Sequence, residues 1–163
     1  MINIQSARDG SHLPVLIKIM NQTTGPVLEL GMGFFSTHYL HWACYENRRR
    51  LLSYEHDPVL LEWSESFVND YHEIKFVDNW DNADLSGHWN VVLVDHAPTP
   101  RRRHEIARLA NSADYLIIHD SEPERNGWQK YSRIYPLFKY RKDFDRERPF
   151  TTVLSNFKDL TDL

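Results

Sequence analysis

The chain has 163 residues, of which 41% are hydrophobic and 26% are charged, and its formal net charge is −4 at pH 7. This length predicts a single domain over residues 1–163 with a sizeable core, and the acidic balance argues against a nucleic-acid partner bound by bulk electrostatics. No apolar run is long enough to span a bilayer, and the first residues lack the basic-then-apolar pattern of a signal peptide. The lone Cys44 cannot form an intrachain disulfide. We therefore expect a cytoplasmic protein that binds neither membrane nor nucleic acid.

Apolar patterning predicts helices and strands that alternate along the chain. The first helix begins near Ser11, the expected N-cap, has Pro14 in its first turn and ends at about Met20. The later elements, in chain order, are a strand at 27–30, a helix at 34–45, a strand at 51–54, a helix at 59–70, strands at 74–77 and 91–94, a helix at 102–110, a strand at 115–118 and a helix at 126–135. Two further strand-like segments, 137–144 and 150–157, flank a short polar loop and are expected to pair antiparallel. The pattern predicts an α/β fold with a doubly wound, mostly parallel sheet and an antiparallel C-terminal hairpin strand.

The first predicted strand runs directly into a tight turn that contains Gly31 and Gly33, and a helix follows the turn. Glycine has no Cβ, so the backbone of such a turn can approach a ligand closely. The start of the helix presents free N–H groups and the positive end of its dipole to the same space. The segment therefore predicts a cradle for a nucleotide-like ligand that carries a carboxylate or a phosphate.

Polar side chains follow nearly every predicted strand. Ligands of doubly wound sheets bind outside the carboxyl ends of the strands, near the point where the strand order reverses. Clustered carboxylates repel one another unless a cation or a donor-rich ligand lies among them, so this pattern indicates a binding site. The polar residues at these strand ends are Glu29, Glu55, His56, Asp57, Asp78, Asp81, Asp95, His96, His119, Asp120 and Glu122.

The segment Glu29-x-Gly31-x-Gly33-x-x-Ser36 resembles the first motif of the class I S-adenosylmethionine-dependent methyltransferases, and the resemblance extends over nearly the whole chain. It implies a Rossmann-like sheet. In that family the turn glycines approach the methionine part of the cofactor, an acid after the second strand binds the ribose, and the segment after the third strand contacts adenine. The cofactor-binding residues implied here are Glu29, Gly31, Gly33, Ser36, Glu55, His56, Asp78, Trp80 and Asp95.

Part of the chain is also similar to the metal-dependent catechol-type O-methyltransferases. Their Asp-His pair after strand four and their Asp-Asn pair after strand five correspond here to Asp95-His96 and Asp120-Ser121. The resemblance implies a Mg²⁺ ion bound by Asp95 and Asp120, since Mg²⁺ prefers oxygen ligands. The lysine base of that family is absent, so the expected catalytic residues are Asp95, His96 and His119, with either histidine taking the proton of the acceptor.

Several of these residues also have simpler interpretations. Asp57, which precedes Pro58, can cap a helix, and a histidine after a buried strand is often a hydrogen-bonded core residue. The triplet 101–103 is arginine throughout and either holds an anionic acceptor or, more commonly, starts a solvated helix. His12 lies at the start of the first helix, where this fold often closes over the cofactor.

We expect the protein to transfer a methyl group from S-adenosylmethionine to an oxygen of a small molecule or sugar. An NAD-dependent oxidoreductase is one alternative, but Ser36 stands where the dinucleotide motif has its third glycine, and no second domain is evident for the substrate. Another alternative is a non-catalytic module of the same fold that binds the cofactor or a partner. Few residues remain for an acceptor lid, so a homodimer could complete the site.

Overall fold

A seven-stranded sheet forms the centre of the protein in the computed structural model, which describes residues 7–163. Its strands are β1 (Val27–Leu30), β2 (Leu51–Glu55), β3 (His72–Phe76), β4 (Trp89–Val94), β5 (Ala113–His119), β6 (Tyr140–Phe144) and β7 (Thr151–Ser155). Their order across the sheet is β3-β2-β1-β4-β5-β7-β6. The first five strands are parallel, whereas β7 runs antiparallel to both β5 and β6. The predicted doubly wound sheet with an antiparallel C-terminal hairpin is confirmed.

Helices connect the parallel strands and cover the sheet. The α-helices of the described chain are α1 (Leu13–Met20), α2 (Ser36–Glu46), α3 (Pro58–Ser64), α4 (Arg102–Leu109) and α5 (Asn126–Gln129). None of them is long and apolar enough to cross a membrane.

Two helix predictions are wrong in extent. The helix predicted at 59–70 ends at Ser64, because the Asn69 side chain accepts the backbone N–H groups of Tyr71 and His72 and so starts β3 early. The helix predicted at 126–135 ends at Gln129, because the next residue adopts the left-handed conformation with φ of 57°.

The first helix also begins differently from the prediction. His12, not Ser11, precedes its first helical residue, and no side chain caps its N-terminus. The Ser11 hydroxyl donates instead to the backbone carbonyl of Pro149 and lies 3.1 Å from Nε2 of His119. These distant contacts compete with capping, so the prediction of Ser11 as the N-cap is wrong.

The two faces of the sheet bury separate apolar clusters, because successive strand residues point to opposite faces. Leu28, Val92 and Val94 belong to one cluster, and Val27 and Leu93 belong to the other. Strand β1 is therefore buried along its whole length. It pairs with β2 on one side and β4 on the other, so the strand order reverses at β1. The carboxyl ends of β1 and β4 thus meet at the expected ligand-binding position of such a sheet.

Candidate functional site

A cleft of about 290 Å³ opens at the carboxyl ends of β1, β4 and β5. Its lining comes from the segment before α1, from the loops after these strands and after β2, from the first residues of α2 and α4, and from α3. Of the nine residues implied as cofactor-binding, the cleft is lined by Gly31, Gly33, Ser36, Glu55, His56 and Asp95. The other three, Glu29, Asp78 and Trp80, lie outside the lining.

Gly31 lies where the turn after β1 touches the turn after β4. Its φ is +91°, a conformation that side chains rarely adopt. A Cβ atom at this position would lie 2.4 Å from Cα and 2.5 Å from the backbone nitrogen of His96. Two backbone segments therefore pack directly on each other at one wall of the cleft, and this packing requires glycine.

Glu29 is fully buried behind the glycine turn. Its Oε1 accepts hydrogen bonds from Ser36 Oγ at 2.7 Å and Thr37 Oγ1 at 2.9 Å, and its Oε2 accepts one from Ser53 Oγ at 2.7 Å. The carboxyl group thus joins β1 to the start of α2 and to β2. Burial outweighs the three hydroxyl donors and raises the pKa of Glu29 to about 7.

Replacing Glu29 by glutamine should stabilise the protein at alkaline pH. Since the folded pKa of about 7 exceeds the reference value of 4.5, the wild type loses stability as pH rises from 4.5 to 7. Glu29→Gln removes that loss, so we expect its free energy of unfolding to exceed the wild-type value by on the order of 2 kcal/mol at pH 8. The advantage should disappear near pH 4. Urea unfolding at several pH values measures the difference, and a pH-independent difference would contradict the raised pKa.

Glu55 connects the loop after β2 to the glycine turn. Its Oε1 accepts the backbone N–H groups of His56 at 2.7 Å and Asp57 at 2.8 Å, and its Oε2 accepts that of Met32 at 2.7 Å. A carboxylate offers about four acceptor positions, so Oε2 can still accept a ligand hydroxyl. Asp57 caps α3 by accepting the N–H of Val59, as its simpler interpretation predicts.

Asp78 and Trp80, implied as adenine contacts, are not among the residues that line the cleft. Asp78 is exposed and accepts a hydrogen bond from Asn82. Trp80 is buried, donates to the carbonyl of Ala97 at 2.9 Å and stacks on the ring of His96 with centroids 3.9 Å apart. The large indole is drawn into the core, because burying its apolar area is favourable. The cleft is lined instead by Leu60 of α3, a residue that the sequence did not single out.

His96, one of the predicted catalytic residues, is buried in the wall of the cleft. Its Nε2 lies 3.3 Å from Oε2 of Glu105, and its Nδ1 lies 3.2 Å from the carbonyl oxygen of Ala97. Burial lowers its pKa. Trp80 covers one face of the ring and both nitrogens face protein atoms, so the His96 ring packs in the wall of the cleft.

Arg102, at the start of α4, is 4% exposed and lies between the two carboxylates predicted to bind Mg²⁺. Its guanidinium is 3.0 Å from Oδ1 of Asp95 and 3.2 Å from Oδ2 of Asp120. It also donates to the backbone carbonyls of Asp95, His96 and His119. The commoner interpretation of the arginine triplet, a solvated helix start, is therefore wrong for Arg102. The residues do not fit Mg²⁺ between Asp95 and Asp120, because a buried cation already pairs with both.

Asp95 and His119 form an ion pair at the cleft. Nδ1 of His119 lies 3.1 Å from Oδ2 of Asp95. Although burial opposes the charged form, Arg102 and His119 hold the pKa of Asp95 at about 2. Burial also opposes a charge on His119, but the Asp95 carboxylate raises its pKa above the usual range. Both residues were predicted as catalytic, and both line the cleft.

His12, which precedes α1, lies next to the ion pair of Asp95 and His119 in the cleft. It is 2% exposed, lines the cleft and packs edge-on against His119 with ring centroids 4.6 Å apart. Neither of its ring nitrogens has a hydrogen-bond partner of normal geometry among the described residues, although the Asp9 backbone is close. Burial and the neighbouring His119 lower its pKa to about 4, so the ring is neutral at pH 7.

Comparisons with known proteins identify relatives by structure alone. No protein-family model matches the chain, and no curated protein matches it in sequence. The methyltransferase PaMTH1 of Podospora anserina, solved with SAH bound, superposes with a TM-score of 0.68 and 13% identity, over 96% of this chain and 80% of that chain. A Klebsiella pneumoniae protein assigned as an O-methyltransferase superposes with a TM-score of 0.67 and 15% identity, over 97% and 84% of the two chains.

A third similar structure is the N-terminal domain of human METTL16 in complex with SAH. Its TM-score is 0.63 at 13% identity, over 97% of this chain and 73% of that chain. At such low identity a structural likeness establishes the fold and not the chemistry. The chain has the Rossmann-like fold of the class I S-adenosylmethionine-dependent methyltransferases.

Proposed function

We propose that this protein is an S-adenosylmethionine-dependent methyltransferase that binds its cofactor in the cleft where the strand order reverses. The observation that carries this proposal is the contact at Gly31, where only glycine fits between the turn after β1 and the backbone of His96. That contact shapes one wall of a cleft whose lining includes the carboxylates of Glu55 and Asp95. The methyltransferase fold of the chain supports the same conclusion.

The described residues fit the parts of this cofactor. Oε2 of Glu55 has an acceptor position left for a ribose hydroxyl. The turn from Gly31 to Gly33 leads into α2, whose N-terminal dipole favours the carboxylate of the methionine part. Leu60 and His56 offer an apolar edge and a ring to the base. When bound, the cofactor supplies an electrophilic methyl group on a positively charged sulfur, and the acidic lining favours that charge.

We further propose an oxygen of a small molecule or sugar as the methyl acceptor. Asp95, His119 and His12 line the cleft with polar groups that can orient a hydroxyl and hold its proton, and positioning supplies much of the rate of such a transfer. A second cleft of about 230 Å³ follows β5, and Glu122 and Arg141 are among its polar lining residues. Such groups hydrogen-bond hydroxylated molecules, which supports a polar acceptor.

Blocking the cleft should prevent cofactor binding. Leu60→Arg places a long side chain in the cleft, whereas Val59→Arg, its neighbour on α3, changes a side chain that is 54% exposed. We expect isothermal titration of the wild type with S-adenosylhomocysteine to give a Kd in the micromolar range, which corresponds to a binding free energy on the order of −8 kcal/mol. Leu60→Arg should weaken this binding by about tenfold or more, and Val59→Arg should leave it unchanged.

A parallel titration with NAD⁺ separates the alternatives. Binding of NAD⁺ without S-adenosylhomocysteine would overturn the methyltransferase proposal in favour of an oxidoreductase. If neither compound binds, a non-catalytic module of the same fold becomes the better interpretation. If both arginine variants bind like the wild type, the cofactor lies outside this cleft.

We also propose a cytoplasmic protein that binds neither nucleic acid nor membrane and that forms a homodimer. The buried free thiol of Cys44 supports the cytoplasmic location. The net charge of −4 supports the absence of a nucleic-acid partner. The short connections around the cleft support the dimer, since a second copy could complete the acceptor side. Analytical ultracentrifugation tests the dimer, and a single species at the monomer mass would contradict it.

A further inference from the structure

His12, Asp95 and His119 converge at the cleft from the start of α1, the end of β4 and the end of β5. Each offers one donor atom, and the three donor atoms lie within 4.8 Å of one another. Both histidines are almost fully buried, and Asp95 is partly exposed. Two imidazoles and one carboxylate are therefore held close together at the enclosed end of the cleft. The hydrogen bonds around them show which of their polar atoms have no suitable partner.

The contacts of Ser11 determine which nitrogen of His119 carries a proton. The Ser11 hydroxyl donates its single proton to the carbonyl of Pro149, so its oxygen can only accept from Nε2 of His119 at 3.1 Å. In a neutral His119, Nδ1 then carries a lone pair. That atom lies 3.1 Å from Oδ2 of Asp95, which also carries only lone pairs. Two lone pairs at this distance repel each other, so a cation, either a proton or a metal ion, must lie between them.

His12 distinguishes these two possibilities. A proton on His119 satisfies the contact with Asp95 but leaves both ring nitrogens of His12 without a hydrogen-bond partner of normal geometry among the described residues, with only the Asp9 backbone close by. An unpartnered buried polar group costs about 1–3 kcal/mol. A metal ion bound between the three side chains would satisfy Nδ1 of His119, the Asp95 carboxylate and one nitrogen of His12 together.

We propose that His12, Asp95 and His119 form a binding site for a divalent transition-metal ion of the Zn²⁺ class. Imidazole nitrogen with one carboxylate oxygen suits Zn²⁺, Fe²⁺ or Co²⁺, whereas Mg²⁺ prefers oxygen alone. Metal–ligand bonds of about 2.0–2.2 Å place neighbouring donors about 3–3.5 Å apart, as His119 and Asp95 already are. Only the His12 ring has to move closer.

Neighbouring residues fix the orientation of these side chains, as residues that contact metal ligands usually do. Histidine ligands commonly donate their second N–H to a fixed acceptor, and Ser11 is that acceptor for His119. The other oxygen of Asp95 is fixed by Arg102. Three protein ligands leave a coordination position open toward the cleft. On the proposed function, that position would take the acceptor hydroxyl, but the metal site itself does not depend on it.

The test is a titration of the chelator-treated protein with Zn²⁺, and separately with Mg²⁺, by calorimetry. We expect Zn²⁺ to bind at one site and Mg²⁺ to bind weakly or not at all. His12→Gln and His119→Gln should each weaken Zn²⁺ binding by about 100-fold or more, because each removes a ligand. His104→Gln, on the exposed face of α4, is the control for adventitious imidazole binding and should have no effect. Asp120→Asn should also leave the Zn²⁺ affinity within about threefold.

Each other outcome overturns the proposal. Absence of Zn²⁺ binding would mean that a proton lies between His119 and Asp95. Equal affinity in the wild type and His12→Gln would mean an adventitious ion only. Tight Mg²⁺ binding lost in Asp120→Asn would restore the magnesium site. His12→Gln keeps the test decisive if His119→Gln does not fold, since His12 has no normal hydrogen bond to lose. S-Adenosylhomocysteine binding, measured separately, shows whether the proposed function fails independently of the metal site.

Discussion

Replacing Gly31 by alanine should destabilise the protein by about 4 kcal/mol and remove cofactor binding. The new Cβ would lie 2.4–2.5 Å from backbone atoms of His96, and backbone cannot move aside as a flexible side chain can. The positive φ of +91° adds conformational strain. Chemical denaturation measures the free energy of unfolding, and titration with S-adenosylhomocysteine measures the remaining function of the cleft.

Gly87 offers a matched control for this change. Its φ is +93°, nearly that of Gly31, but a Cβ there meets nothing within 4 Å. Gly87→Ala should therefore carry the conformational strain alone, about 1 kcal/mol. The difference between the two variants isolates the close packing of the two turns. If both variants lose the same stability, the contact with His96 is not as tight as the structure shows.

Replacing Arg102 by methionine should cost about 3–5 kcal/mol of stability. Methionine fills much of the arginine volume but leaves Asp95 and Asp120 without their shared cation. The backbone carbonyls that accept from the guanidinium also lose their donor. Asp95 then keeps only His119 and Asp120 keeps only Arg125 as a cationic partner, so pairing offsets less of the cost of burying the two carboxylates. Thermal and urea unfolding of the purified variant measure the loss.

Arg103→Met is the control, since this neighbour in the triplet donates to the Pro100 carbonyl at an exposed position. Its loss should stay within about 0.5 kcal/mol. A comparable loss in both variants would show that the Arg102 change acts through helix propensity, and a small loss in both would contradict the buried ion-pair network. Added salt should leave the Arg102 effect largely unchanged, because buried pairs are screened little.

Much of the fold follows from local sequence pattern. Strand β1 has the predicted bounds, because a parallel strand covered on both faces is mostly apolar, here Val27, Leu28 and Leu30 around the buried Glu29, and ends at the first turn glycine. The aromatic residues Trp128, Tyr131 and Tyr135 repeat at near-helical spacing, and this spacing favours a helix over the whole predicted range 126–135. Lys130 breaks that helix in the left-handed conformation, for which its residue type gives no signal.

The site was predictable only in part, for a physical reason. Residues at strand ends share one edge of the sheet by topology, so Gly31, Asp95 and His119 could be placed together from the sequence. The burial of Arg102 depends on contacts with β4 and β5 that no local pattern encodes. The only sequence signal for it is that an arginine triplet closely follows a strand-end acid.

The contacts of Ser11 have a consequence for how the protein is made. Ser11 bonds to His119, 108 residues away in the chain, and to Pro149, 138 residues away. During synthesis Ser11 emerges early, whereas its partner Pro149, in the loop between β6 and β7, emerges late. A nascent chain can therefore pair the parallel strands before Pro149 is present to hold Ser11 against His119. The chemistry-bearing end of the cleft is completed only when the loop before β7 leaves the ribosome.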